Sequence, residues 1–126
     1  MPASSSAVTN SKHIGDLFEM RFQRAVQERG LYLQQMPERV GFDFLVGDGS
    51  LMKPVETKCV AGNKLRLKHF TQIERLTAEE MTEGGIDYTI VFPLYGGFGY
   101  TTWAKIREQL FTGGVTLDSP HLPRLF

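Results

Sequence analysis

Two hydrophobic rhythms alternate along the chain, and their order sets out the elements. From Lys12 to about Arg29, Ile14, Leu17, Phe18, Phe22, Ala25 and Val26 recur at helical spacing. A cap among Thr9, Asn10 and Ser11 and a stop at Gly30 frame this first amphipathic helix. The pattern then breaks into short runs, "LYLQQM", "GFDFLV" and "PVETKCV", the last two joined through "GDGS" as a hairpin. "FTQIERLTAEEM" returns to helical spacing through Phe70, Ile73 and Leu76 and ends at Gly84-Gly85. "IDYTIVFP" and "GFGYTTW" read as two further strands across a glycine-rich hairpin turn, and "WAKIREQLF" as a short last helix with Trp103 in the core. The expected order is α-β-β-β-α-β-β-α, an α/β fold with a mixed five-stranded sheet flanked by helices. Residues 1–10, small and Ser-rich, read as a flexible arm, and residues 11–126 as one domain. The tail from about 115, "TLDSPHLPRLF", is expected to dock on the body or on a partner chain.

Strand alternation then raises a chemical question. It turns Glu56 and Lys58 to one face and Val55, Thr57 and Cys59 to the other. If Phe42, Phe44 and Val46 form the core set of the preceding strand, Asp43 points the opposite way, and a hairpin register makes Asp43, Glu56 and Lys58 converge. A solvated sheet face with a cross-strand ion pair is the plain alternative. Against it, Asp43 lies within "VGFDFLV" and Glu56 follows "PV", apolar settings in which an unpartnered acid is costly to desolvate. Two acids so placed suit a hard divalent cation such as Mg²⁺. A neighbouring lysine suits orienting the attacking water and offsetting charge on a phosphate.

With these residues in place, "GFDFLV…PVETK" resembles the D-(x)n-E-x-K signature of the PD-(D/E)XK nuclease superfamily, matched by Asp43, Glu56 and Lys58, with Phe42 where the name has Pro. Gly15-Asp-Leu-Phe-Glu19 is similar to the G-x-x-x-E that opens archaeal-type Holliday-junction resolvases after a basic residue, here Lys12. The resemblance covers about residues 11–104 and lacks the Ser that often precedes the motif Asp. It implies a restriction-endonuclease-like fold and a Mg²⁺-dependent endonuclease, with Mn²⁺ as a substitute, that nicks opposite strands of a four-way DNA junction symmetrically and leaves 5′-phosphates. Asp43 and Glu56 would hold the metal with the Thr57 carbonyl, Glu19 would bind or position a second ion, and Lys58 would aid the water. Gln72 is a candidate support for Lys58 or the water, its plain reading being a surface helix Gln. The family also implies a two-fold homodimer, for which Tyr95, Phe98 and Tyr100 are candidate interface residues.

Charge changes this picture locally. The 126 residues carry 14 basic and 14 acidic side chains, so overall charge singles out neither nucleic acid nor membrane as a partner. Between Met52 and His69, however, Lys53, Lys58, Lys64, Arg66, Lys68 and His69 face a single acid, Glu56. A solvated charge run is the usual explanation for such a strip. Its place after the motif makes Asn63, Lys64, Arg66, Lys68 and His69 candidate phosphate contacts, with Lys12 and His13 as further DNA contacts. The lone Cys59 allows no internal disulfide and is expected to be a buried, inert thiol, and the three histidines lack zinc-ligand spacing. No run approaches the roughly 20 apolar residues of a membrane span, and a cytoplasmic protein of a prokaryotic or virus-infected cell is expected. The rival readings are another nuclease of the same superfamily (restriction, repair or single-strand processing), a catalytically silent DNA-binding subunit, and a small interaction domain.

Overall fold

The computed structural model describes residues 3–117, with side chains from residue 13. Helix α1 (Ala3–Glu28) leads into strands β1 (Tyr32–Gln35), β2 (Phe44–Gly47), β3 (Met52–Thr57) and β4 (Lys64–Leu65). Helix α2 (Gln72–Glu83), strands β5 (Thr89–Leu94) and β6 (Gly97–Thr102), helix α3 (Trp103–Phe111) and strand β7 (Val115–Thr116) follow. Single turns of 3₁₀ helix sit at Glu38–Val40 and Leu67–His69.

Each junction has a local cause. α1 ends in a Schellman motif: Gly30 takes φ 71°, its N–H reaches the Gln27 carbonyl, and the Leu31 N–H reaches that of Val26. The β2–β3 turn is held by Asp48, whose Oδ1 accepts from the backbone N–H groups of Ser50 and Leu51 at 3.0 and 2.9 Å. α2 opens with a capping box, Thr71 Oγ1 accepting from Glu74 N–H and the Glu74 carboxylate accepting from Thr71 N–H. Tyr95 and Gly96, at φ 47° and 78°, form the tight β5–β6 turn expected of the glycine-rich stretch.

The five-stranded sheet has the order β1-β2-β3-β5-β6. All neighbours are antiparallel except β3 and β5, which run parallel and are joined by the crossover through α2. A separate two-stranded ribbon pairs β4 with β7. The sheet divides two cores. On one face Phe18, Phe22, Ala25 and Val26 of α1 pack on Phe44, Val55, Val91 and Phe98. On the other, Phe70, Ala78, Trp103, Ile106 and Leu110 pack on Ile90, Phe92 and Leu94. Among the described residues no helix is long and apolar enough to cross a membrane.

Several expectations need correction. α1 is helical from Ala3, ahead of the anticipated cap at Thr9–Ser11, because adding turns to an existing helix avoids a second nucleation. Ile14 and Leu17 are exposed on α1, and so are Ile73 and Leu76 on α2. The inner face of α2 instead runs through Glu74, Thr77, Ala78 and Met81. Phe42 does not share a face with Phe44: it joins the α2 side of the core while Phe44 joins the α1 side. Regular pairing begins only at Phe44, so the alternation used to place Phe42 and Asp43 does not extend to them. Lys64, within the basic strip, lies in strand β4, and Cys59, expected to be buried, is only partly so against the α1 core. The tail beyond residue 117 lies outside the described residues.

Gly41 sets up the approach to Asp43. It has φ 93°, its carbonyl accepts a 2.7 Å hydrogen bond from the Tyr88 hydroxyl, and a Cβ there would run into the Thr77 side chain. Gly41→Ala should therefore destabilise the fold by at least roughly 1–3 kcal/mol, the range for a strained left-handed residue. Equilibrium urea denaturation checks this, and a midpoint equal to that of the parent chain contradicts it.

Candidate active site

β3 carries the central residues because it is flanked by strands on both sides and covered by helices on both faces. Glu56 is only 2% exposed. Its Oε2 lies 3.1 Å from Lys58 Nζ, so the two charges share a face as alternation requires. Lys58 Nζ also donates to Glu74 Oε1 at 2.9 Å and to the His69 carbonyl at 2.7 Å, and lies 4.8 Å from the centre of the Phe70 ring. Lys58 N–H donates to the Val91 carbonyl at 2.9 Å, which continues the parallel pairing past the end of the strand.

Asp43 joins this group differently from the expectation. Its Oδ2 accepts from Thr57 N–H at 2.8 Å and from Thr57 Oγ1 at 2.7 Å, so it meets the strand through Thr57 and not through Lys58. Thr57 Oγ1 also lies 3.3 Å from Glu19 Oε1 of α1. Thr57 thus ties Glu19 of α1 to Asp43, which stands just ahead of β2, on the face opposite Glu56. Asp43, Glu19, Glu56 and Glu74 then line one cleft of about 240 Å³, together with Asp16 and Glu38.

The electrostatics follow from burial among like charges. Burial, the adjoining Glu74 carboxyl and the charge of Asp43 push the Glu56 pKa from 4.5 up to about 10. Glu19 is raised by burial and then by Asp43. For Glu74, burial works upward, but hydrogen bonding from Glu56 and the Lys58 charge outweigh it and hold the carboxyl below its ordinary range. Burial works downward on Lys58, but Glu56 and Glu74 outweigh it and keep the ammonium protonated. The 3.1 Å contact between Glu56 and Lys58 has ion-pair geometry. Burial among carboxylates nevertheless favours a neutral Glu56, leaving Glu74 as the counter-ion of Lys58.

Glu56 Oε1 is buried and an orphan among the protein's donors, as Thr82 Oγ1 and Trp103 Nε1 are without partners of their own. With Oε2 facing Lys58, Oε1 is the oxygen left to carry the proton shared with Glu74, and it becomes an open acceptor only when that proton leaves. Among the described residues no three His, Cys, Asp or Glu side chains are grouped to hold an ion as they stand; Asp43 is engaged by Thr57 and Glu56 by Lys58. The oxygen-only donor set and the orphan Oε1 fit a hard cation once Glu56 gives up its proton.

The other sequence candidates are placed as follows. Gln72 is exposed at the first residue of α2, and the support anticipated from it comes from Glu74. Two helical positions differ by roughly 200° in azimuth, so both cannot face Lys58. Glu74 was missed, although "TQIE" carries a capping-box signal that marks this Glu as turned back toward the helix start. Lys64, Arg66 and Lys68 are exposed while Leu65 and Leu67 turn inward, and the cations line a shallow depression with Asn63 and His69. His69 Nδ1 accepts from Arg66 N–H at 2.8 Å, which leaves its ring proton on Nε2. His13 is exposed on α1, and the side chain of Lys12 lies outside the described residues.

The Glu56 shift gives a pH prediction. Between about pH 4.5 and 10 the folded state holds a proton that the unfolded chain has released, so metal-free stability should fall as pH rises through that window. In EDTA, Glu56→Gln should melt close to the parent at pH 4 and progressively above it at pH 7 and 9. Parallel Tm profiles for the two proteins sink the assignment.

No family model matches the chain, and no curated protein matches it in sequence. Among solved structures it is similar to the 1.6 Å structure of Archaeoglobus fulgidus Hjc, a Holliday junction resolvase from an archaeal hyperthermophile. The match covers 82% of this chain and 91% of that one, with 16% identity and a TM-score of 0.58. The chain therefore has the fold of the archaeal Hjc resolvase, a mixed five-stranded sheet with three helices.

Proposed function

We propose that this chain is a divalent-cation-dependent DNA endonuclease that nicks opposite strands of four-way junctions symmetrically, acting as a homodimer. The observation that carries the nuclease reading is the cleft that gathers the buried Glu56 with Asp43 and Glu19, with the Lys58 ammonium 3.1 Å from Glu56. Likeness in fold to a junction resolvase favours branched DNA over other substrates.

In this reading Asp43 and Glu56 hold the cation with the Thr57 carbonyl, and Glu19 holds or positions a second one. When bound, Mg²⁺, or Mn²⁺ in its place, supplies Lewis-acid charge to the scissile phosphate and makes a water more acidic. Glu56 must lose its proton to serve. Lys58, protonated throughout the neutral range, offsets negative charge developing on the phosphate. The exposed cations Lys64, Arg66 and Lys68 hold backbone phosphates, and His69 adds a neutral Nε2–H donor. Two copies related by a two-fold axis present two such sites to the two strands cut, and hydrolysis leaves 5′-phosphates.

A labelled four-way junction and a matched linear duplex, each with Mg²⁺ or EDTA, test the reading. Nicking should depend on Mg²⁺, favour the junction, and fall by about 100-fold or more in Glu56→Gln, comparable to losing one key electrostatic group. Preference for the duplex removes the junction assignment and leaves another nuclease of this fold. No cutting of any DNA favours a silent binding subunit.

The basic strip makes a separate prediction. Replacing Lys64, Arg66 and Lys68 together by Ala should weaken junction binding in Ca²⁺ and flatten its salt dependence by up to roughly three phosphate contacts, at about 0.9 per contact. An unchanged slope in a filter-binding titration removes the strip from the interface.

A further inference from the structure

We propose that Glu74 is a positioning residue for Lys58, the group that keeps the ammonium aimed when Glu56 is engaged elsewhere. The inference rests on the nuclease reading above. An ammonium has three N–H donors, and those of Lys58 are spent on Glu56 Oε2, Glu74 Oε1 and the His69 carbonyl, with the Phe70 ring alongside. Lys58 therefore has no donor left for a phosphate or a water until one partner lets go.

Of the three partners, Glu56 is the one with another use in catalysis. The His69 carbonyl is fixed by the 3₁₀ turn at Leu67–His69, and it carries no full charge to balance the lysine. Glu74 is fixed from two directions, since its Oε1 also accepts from Thr71 N–H at 2.8 Å while its own N–H donates to Thr71 Oγ1. The capping box thus does two jobs. It starts α2, and it locks a carboxylate 2.9 Å from the lysine on the crossover between the parallel strands β3 and β5. Release by Glu56 then frees one N–H of Lys58 in a defined direction, while Glu74 and His69 hold the other two.

Cleavage kinetics of the full chain with Mg²⁺ and junction DNA test this, alongside Ala78→Gly and a double-mutant cycle. Glu74→Gln keeps an oxygen for Thr71 N–H but loses the charge, and should lower the single-turnover rate constant about tenfold or more with the DNA Kd in Ca²⁺ unchanged. Ala78→Gly, which weakens α2 at a buried position away from Lys58, should lower Tm and leave the rate constant within about twofold. In a Lys58→Ala background, Glu74→Gln should produce no further loss. An additive loss there, or an equal rate deficit in Ala78→Gly, shows that Glu74 acts only through the helix and overturns the proposal. A full rate constant in Glu74→Gln overturns it while leaving the nuclease reading intact. A parent protein that cuts no DNA overturns both.

Discussion

A carboxyl buried beside a lysine on the central strand is the constraint on which the rest of the structure depends. β3 is covered on both faces and paired on both edges, so any charge on it must find its partners inside the protein. Glu56 finds Lys58 on the same face, and Lys58 finds Glu74 on the crossing helix and a carbonyl in the turn before it. Removing any one of these leaves an uncompensated group in the interior. The position of α2 over the sheet is therefore fixed by polar contacts as much as by its single fully buried side chain, Ala78.

The opposite face of the same strand is organised by a hydroxyl. Thr57 donates to Asp43 while touching Glu19, and this links α1, the β2–β3 hairpin and the end of β3. The two faces differ in tone. One holds a compact cationic centre clamped by carboxylates, the other two acids spaced by a neutral donor. Both open on one small polar cleft, where acids accumulate at the price of raised proton affinity.

The order of the long elements was legible because each has a clear hydrophobic period: Phe18, Phe22 and Val26 on α1, Phe44 against Val55 on the hairpin. The shared face of Glu56 and Lys58 was legible too, since two-residue alternation inside a strand leaves no other choice. The failures fall where the period is broken. Phe42 stands just outside the regular ladder, beside a left-handed Gly41, so alternation gave it the wrong core. Ile73 and Leu76 look like a buried stripe, yet α2 turns Glu74 inward because Lys58 needs it there, and the apolar pair is left in solvent. The β4–β7 ribbon, with two residues in each strand, is too short to show any pattern.

The parallel pairing of β3 with β5 has a consequence for the life of the chain before it is complete. Glu19, Asp43, Glu56, Lys58 and Glu74 all precede residue 75, but the strand that fixes the inner edge of β3 begins only at Thr89. A nascent chain has every charged group of the cleft in hand well before it has the edge against which they are aligned. Register on that side arrives late, with the hairpin of β5 and β6 and the helix that follows. Assembly of the cleft is in this way tied to translation of the chain from Thr89 onward, although none of the groups just named belongs to that part.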